Sequence, residues 1–149
     1  MRSAFMGSGL LAVAVAVALA GCGGSSTLTH SQLVSQANAV CRTKNAQVSA
    51  LGRPTTLAGL QHALALGIPI AEQAETRLRA LKPPSSDAAA FRQTLALDAQ
   101  ALAVDRQAEQ AAGAGNAARF RQLLQQATSI SDQARSRASA LGLTDCAQG

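Results

Sequence analysis

Apolar residues recur at intervals of three and four positions along four stretches of the chain, a spacing that places them on one side of an α-helix. Segments rich in glycine or proline separate these stretches at 52–54, 82–84 and 113–115. Helices are therefore predicted at about 29–51, 55–81, 85–112 and 116–141. No segment is predicted as a strand, and the short connections between the helices predict an antiparallel four-helix bundle.

Each predicted helix begins at a residue whose side chain can accept a hydrogen bond from the first turn. Thr29, followed three residues later by Gln32, has the spacing of a capping box. The other predicted N-caps are Thr55 or Thr56 for the second helix, Ser85 or Ser86 for the third, and Asn116 for the fourth. These residues support four separate helices.

The second helix contains Pro69, which removes one backbone hydrogen bond. The apolar spacing keeps its phase across this position, so one kinked helix is predicted. The alternative is an irregular all-α array in which Pro69 forms a corner between two helices.

The apolar positions of each helix define the face that packs into the core. The predicted inward residues are Val34, Ala37, Cys41, Val48 and Leu51 in the first helix, Leu57, Leu60, Leu64, Gly67, Ala71, Ala74, Leu78 and Leu81 in the second, Phe91, Leu95, Ala99 and Leu102 in the third, and Phe120, Leu124, Ala127, Ser131, Ala134, Ala138 and Leu141 in the fourth.

The third helix carries a second apolar stripe, which consists of Ala90, Leu97, Ala101, Val104 and Ala108. One interpretation is an exposed strip for a protein partner, with Leu97 and Val104 as its anchors. The other is a wider buried face, because a helix in a bundle contacts two neighbours.

The first residues of the chain have the pattern of a secretory signal. Arg2 supplies a positive charge, and an eleven-residue apolar stretch follows at 10–20, which is too short to span a membrane. Leu19-Ala20-Gly21-Cys22 then resembles the lipobox of bacterial lipoproteins. The resemblance implies that Cys22 is alkylated by a diacylglyceryl group and becomes the new N-terminus. The predicted domains are a signal peptide at 1–21, a flexible tether at 22–28 and a helical bundle at 29–149.

With Cys22 acylated, two cysteines remain in the predicted bundle, Cys41 and Cys146. An oxidising envelope compartment favours a disulfide between them. The alternative is a pair of buried free thiols.

Composition argues against several classes of function. Thirteen basic and eight acidic residues give a net charge of +5, but the basic residues are dispersed and there is no Trp or Tyr, so nucleic-acid binding is not expected. No Glu-x-x-His pair, Gly-x-Ser-x-Gly elbow or haem-attachment motif occurs. Asp98 and Asp105 share one face of the third helix, either as an acidic site or as a solvated edge. We therefore expect no cofactor, no metal site and no enzymatic activity.

The chain resembles the small alanine-rich lipoproteins of high-GC Gram-positive, actinobacterial type. The resemblance rests on four segments: the lipobox at 19–22, Ala37-Asn38-Ala39-Val40-Cys41, Leu81-Lys82-Pro83-Pro84, and the end of the chain at 140–146. It implies a helical lipoprotein at the extracytoplasmic face of the cell membrane, held by membrane lipid through Cys22.

Two functions are compatible with these features. The first is a non-enzymatic helical module that binds a protein partner in the envelope, and the second is a carrier of a small apolar ligand. A pocket lined by Leu64, Ile68 and Phe91 would favour the carrier, whereas a filled core would favour the interaction module.

Overall fold

The computed structural model describes residues 26–148, which form four α-helices and a short C-terminal 3-10 helix. The elements are α1 (His30–Ser49), α2 (Leu57–Arg79), α3 (Ser85–Gly113), α4 (Ala117–Ala140) and the 3-10 helix (Cys146–Gln148). No strand occurs in this described part. The predicted signal peptide and Cys22 lie outside the described residues. None of the described helices combines the length and the hydropathy needed to cross a membrane.

Three of the four helices begin directly after a predicted N-cap residue. The Thr29 hydroxyl accepts a hydrogen bond from the Gln32 amide at 3.2 Å, and the Gln32 side chain accepts one from the Thr29 amide at 2.9 Å. The Thr56 hydroxyl accepts a hydrogen bond from the Gly59 amide at 3.1 Å, and the Asn116 side-chain oxygen accepts one from the Arg119 amide at 3.0 Å. The capping-box prediction is confirmed.

The start of α3 differs from the prediction. Pro84 is its N-cap and makes no side-chain cap, while Ser85 and Ser86 lie inside the helix. The fixed φ of Pro84, −63°, together with its extended ψ of 156°, places the following residue directly at the first helical position. Asp87 then brings a negative charge to the helix start, where the exposed amides favour it.

Two clusters of buried side chains show how the helices run. The first core cluster contains Leu33, Ala37, Cys41, Leu78, Phe91, Leu95, Ala138, Leu141 and Leu143. The second core cluster contains Val104, Ala108, Ala111, Ala112, Phe120, Leu123 and Ala127, with Leu57, Leu60 and Leu64 packed against it. The first therefore joins the beginnings of α1 and α3 to the ends of α2 and α4. The second joins the end of α3 to the beginnings of α2 and α4. Successive helices are antiparallel, and the predicted four-helix bundle is confirmed.

The second helix is continuous through Pro69. The interpretation with a corner at this residue is therefore wrong. Pro69 and Ala65 are both exposed, so water can satisfy the Ala65 carbonyl that the proline leaves without a partner.

The C-terminal tail is fastened to α1. A disulfide joins Cys41 to Cys146, with a Cα–Cα distance of 4.9 Å, as predicted. Beside it, the Asn38 side chain accepts a hydrogen bond from the Asp145 amide at 3.0 Å, and the Asn45 side chain donates one to the Asp145 carbonyl at 2.8 Å. The tail thus holds the middle of α1 against the end of α4.

The first helix packs unevenly along its length. It contacts α2 and the 3-10 helix more than it contacts α3 or α4, and its buried residues all lie in its first twelve positions. Leu33, which the predicted stripe omitted, is only 1% exposed, whereas Val48, which the stripe included, is 41% exposed. The bundle therefore has four helices around the first core cluster and three around the second.

Candidate ligand-binding cavity

The uneven packing of α1 leaves a cavity of about 590 Å³ in the described part of the protein. It is bounded by the end of α1, the loop that follows α1, and the facing sides of α2, α3 and α4, and it opens to solvent. Its large apolar lining residues are Val48, Leu51, Leu60, Leu64, Ile68, Leu102, Phe120 and Leu124.

Small residues on α2 provide the room for this cavity. Ala63, Gly67 and Ala71 line it at successive turns of the helix, which is the spacing that puts all three on one face. A Cβ at Gly67 would come no closer than 3.6 Å to Leu51, an ordinary contact. A Cβ at Gly67 therefore fits without a clash, and because Gly67 lines the cavity, we expect a longer side chain there to extend into it.

Two half-buried charged residues line the cavity from different helices. Lys44 comes from α1 and Asp105 from α3. Within residues 26–148, neither side chain makes a hydrogen bond or an ion pair. Two charged groups without a hydrogen bond beside an apolar cavity are unusual, because partial removal of water penalises the charged form of each.

The pKa values of both groups reflect this loss of water. Burial lowers the pKa of the Lys44 ammonium, an effect opposed by the charge of Asp98 and reinforced by that of Arg135. Burial alone raises the pKa of Asp105. Both shifts favour the uncharged form, which is the direction expected of groups facing apolar surroundings.

Asp98 and Asp105 do not form an acidic site. Asp98 is exposed as a residue, but its carboxyl group loses part of its water, which raises its pKa. The positive charge of Lys44 lowers the pKa of Asp98, and the negative charge of Glu75 raises it. Asp105 lines the cavity and responds to burial alone. Across the described residues, no group of three or more His, Cys, Asp and Glu side chains could hold a metal ion.

The candidate partner surface on α3 is only partly exposed. Val104 is 6% exposed and belongs to the second core cluster, so its assignment as a surface anchor is wrong. Ala101 and Ala108 are buried as well. The reason is that α3 packs against both α2 and α4, which widens its buried face. Leu97 is half-buried.

Two of the three residues whose pocket would favour a carrier line this cavity. Leu64 and Ile68 line the cavity, but Phe91 is 2% exposed inside the first core cluster. The sequence analysis missed Lys44 as a lining residue, although it interrupts the apolar stripe of α1 and so stands at an inward position.

Comparison of this chain with protein-family models, with curated proteins and with solved structures finds no match.

Proposed function

We propose that this protein is a lipid-anchored protein of the cell envelope that binds a small apolar ligand. The observation that carries the proposal is the cavity of about 590 Å³ beside the second core cluster. Its volume falls within the roughly 300–1,000 Å³ of typical ligand pockets, and its lining combines apolar side chains with a few polar groups, as such pockets do. A bundle that served only as a scaffold would gain stability by filling this space.

The proposed anchor is Cys22, at the end of the lipobox resemblance. The predicted tether, 22–28, ends at Leu28, whose amide donates a hydrogen bond to the Lys82 carbonyl at 2.8 Å, so the six residues before it reach at most about 20 Å. It leads to the start of α1, beside the first core cluster, whereas Val48 at the cavity lies about 27 Å further along the helix. In this arrangement the first core cluster lies nearer the membrane, and the cavity lies at the far end of the bundle.

Replacement of Cys22 by Ala tests the anchor. We expect an unprocessed precursor that no longer incorporates labelled palmitate, because the thiol is the acceptor of the lipid. The variant Cys146→Ala is the control and should still be labelled. Continued labelling of the Cys22→Ala protein would rule out this residue as the attachment site.

A second candidate is the interaction module with a protein partner in the envelope. Leu66, on α2, is 45% exposed and is available for such a contact, as is half-buried Leu97. Single exposed leucines are common on soluble domains, so they carry less weight than the cavity.

Binding of the uncharged fluorophore N-phenyl-1-naphthylamine tests the ligand-binding proposal. We expect its emission to rise with saturation when it enters the cavity of the wild-type protein. Gly67→Leu is the blocking variant: its side chain enters the cavity, and the change also raises helix propensity by about 1 kcal/mol. The wild type should bind the fluorophore and the folded variant should not. Equal binding by the two proteins would overturn the proposal.

A further inference from the structure

We propose that the ligand is a single-chain lipid with an anionic head group, whose chain occupies the cavity and whose head lies beside Lys44. This inference rests on the proposed function, since it names the chemical class of ligand for the same cavity.

The apolar lining accounts for the chain. Leu60, Leu64 and Ile68 approach from α2, and Phe120 and Leu124 approach from α4. In the described part of the protein, apolar side chains from two helices thus face each other across the cavity. Burial of each methylene of a ligand in such a space is worth about fourfold in affinity.

The charges at the wall account for the head group. Lys44 and Arg53 are the cationic residues that line the described cavity, and Asp105 is the carboxylate. Arg53 is exposed in the loop between α1 and α2, whereas Lys44 is half-buried. Two cations therefore face one carboxylate at this wall, and Asp105 stands apart from them on α3. The part of the wall formed by α1 and its following loop therefore carries a positive charge.

The charge of Asp98 offsets only part of the loss of water at Lys44, so an anionic head would give the ammonium the hydrogen-bonded partner that it lacks. An ammonium at the edge of an apolar space is stabilised by a hydrogen-bonded anion, and this charge-assisted bond is stronger than one between neutral groups. A cationic head would instead meet Lys44 and Arg53 with the same sign of charge. A neutral head would offer the Lys44 ammonium no charge-assisted hydrogen bond.

Photocrosslinking of the lipid-anchored protein in nanodiscs tests this assignment. The probes are a diazirine derivative of hexadecanoic acid and the matching derivative of hexadecan-1-ol, which differ only in the head group. We expect the acid to label peptides that line the cavity. We also expect Lys44→Gln to reduce this labelling about tenfold and to leave labelling by the alcohol unchanged, since a charged hydrogen bond is lost. Lys44→Arg should retain labelling by the acid.

Two control variants make the result specific. Arg121→Gln removes an exposed cation on α4 that does not line the cavity, and it should change neither labelling. Gly67→Leu should abolish labelling by both probes. A diazirine lysophosphatidylglycerol, run in parallel, distinguishes a phosphate head from a carboxylate head, and Lys44→Gln should weaken labelling by either.

The outcomes separate this inference from the proposed function. Equal labelling by acid and alcohol, with no effect of Lys44→Gln on either, would overturn the anionic head group while leaving the apolar cavity as a binding site. If Gly67→Leu did not reduce labelling by either probe, both the inference and the proposed function would fall.

Discussion

Removal of the disulfide should destabilise the protein strongly, because the bond spans most of the bundle. Cys41 and Cys146 are separated by 105 positions. In the chain-entropy treatment, a closed loop of this length restricts the unfolded chain by about 4.7 kcal/mol, and measured losses for native disulfides are about 2–5 kcal/mol. The variant Cys41→Ala/Cys146→Ser leaves no thiol in the helical bundle and keeps the buried position apolar. We expect its free energy of unfolding to be lower than that of the wild type by an amount in this range.

Urea denaturation followed by far-ultraviolet circular dichroism measures the change. The chain has no Trp or Tyr, so helix content is a better signal than intrinsic fluorescence. Addition of a reductant provides the matched control: it should move the wild-type curve onto that of the double variant and should not move the variant. A loss below about 1 kcal/mol, or free thiols titrated in the oxidised wild type, would refute the reasoning.

Two further predictions concern the core and the cavity wall. Leu33→Ala should lower the free energy of unfolding by about 2–5 kcal/mol, whereas Val48→Ala should change it by about 0.5 kcal/mol or less, because Leu33 is 1% and Val48 41% exposed. Equal losses in urea denaturation would contradict the proposed difference in packing along α1. Asp105 has a pKa raised by burial above its usual 3.8, so the folded protein retains this proton to higher pH than the unfolded chain. The stability that this difference in pKa gives the folded protein is therefore present at pH below 3.8, and it is lost as the pH rises through the folded-state pKa of Asp105. Asp105→Asn should therefore gain stability relative to wild type as the pH rises above 3.8, and Asp132→Asn, on exposed α4 surface, should show no such gain.

The helices could be predicted because their limits are encoded locally. The Thr29 and Gln32 pair is a complete start signal, and the glycine at 142, with φ 76°, ends the last helix as its position after the apolar stripe indicates. At α3, Ser85 and Ser86 both have side chains that suit an N-cap. The N-cap is nevertheless Pro84, whose fixed φ sets the start of the helix. Such a choice between neighbouring residues depends on the entry direction of the chain, which short-range pattern does not specify.

The faces of the helices were harder to assign because alanine is abundant. Alanine fits both buried and exposed positions, so it blurs the edges of an apolar stripe. Leu123 lies outside the predicted stripe although it is 1% exposed, and the stripe that contains Val104 was compatible with either the core or the surface. Burial at these edges depends on which neighbours the helix contacts.

The cavity was the least predictable feature. Gly67 and Ala71 fit the apolar stripe of α2, and nothing in their spacing distinguishes a tightly packed interface from an open one. The volume depends on how closely the end of α1 approaches α3 and α4. That distance is governed by tertiary contacts, including the disulfide and the tail hydrogen bonds.

The central claim is that the cavity holds a small apolar ligand, and native mass spectrometry of the protein isolated from its own membrane tests it most directly. The account predicts a wild-type protein that carries an additional small-molecule mass, which is released on collisional activation and is absent from the folded Gly67→Leu variant. A wild-type protein with no bound molecule, or a bound molecule retained equally by Gly67→Leu, would contradict it.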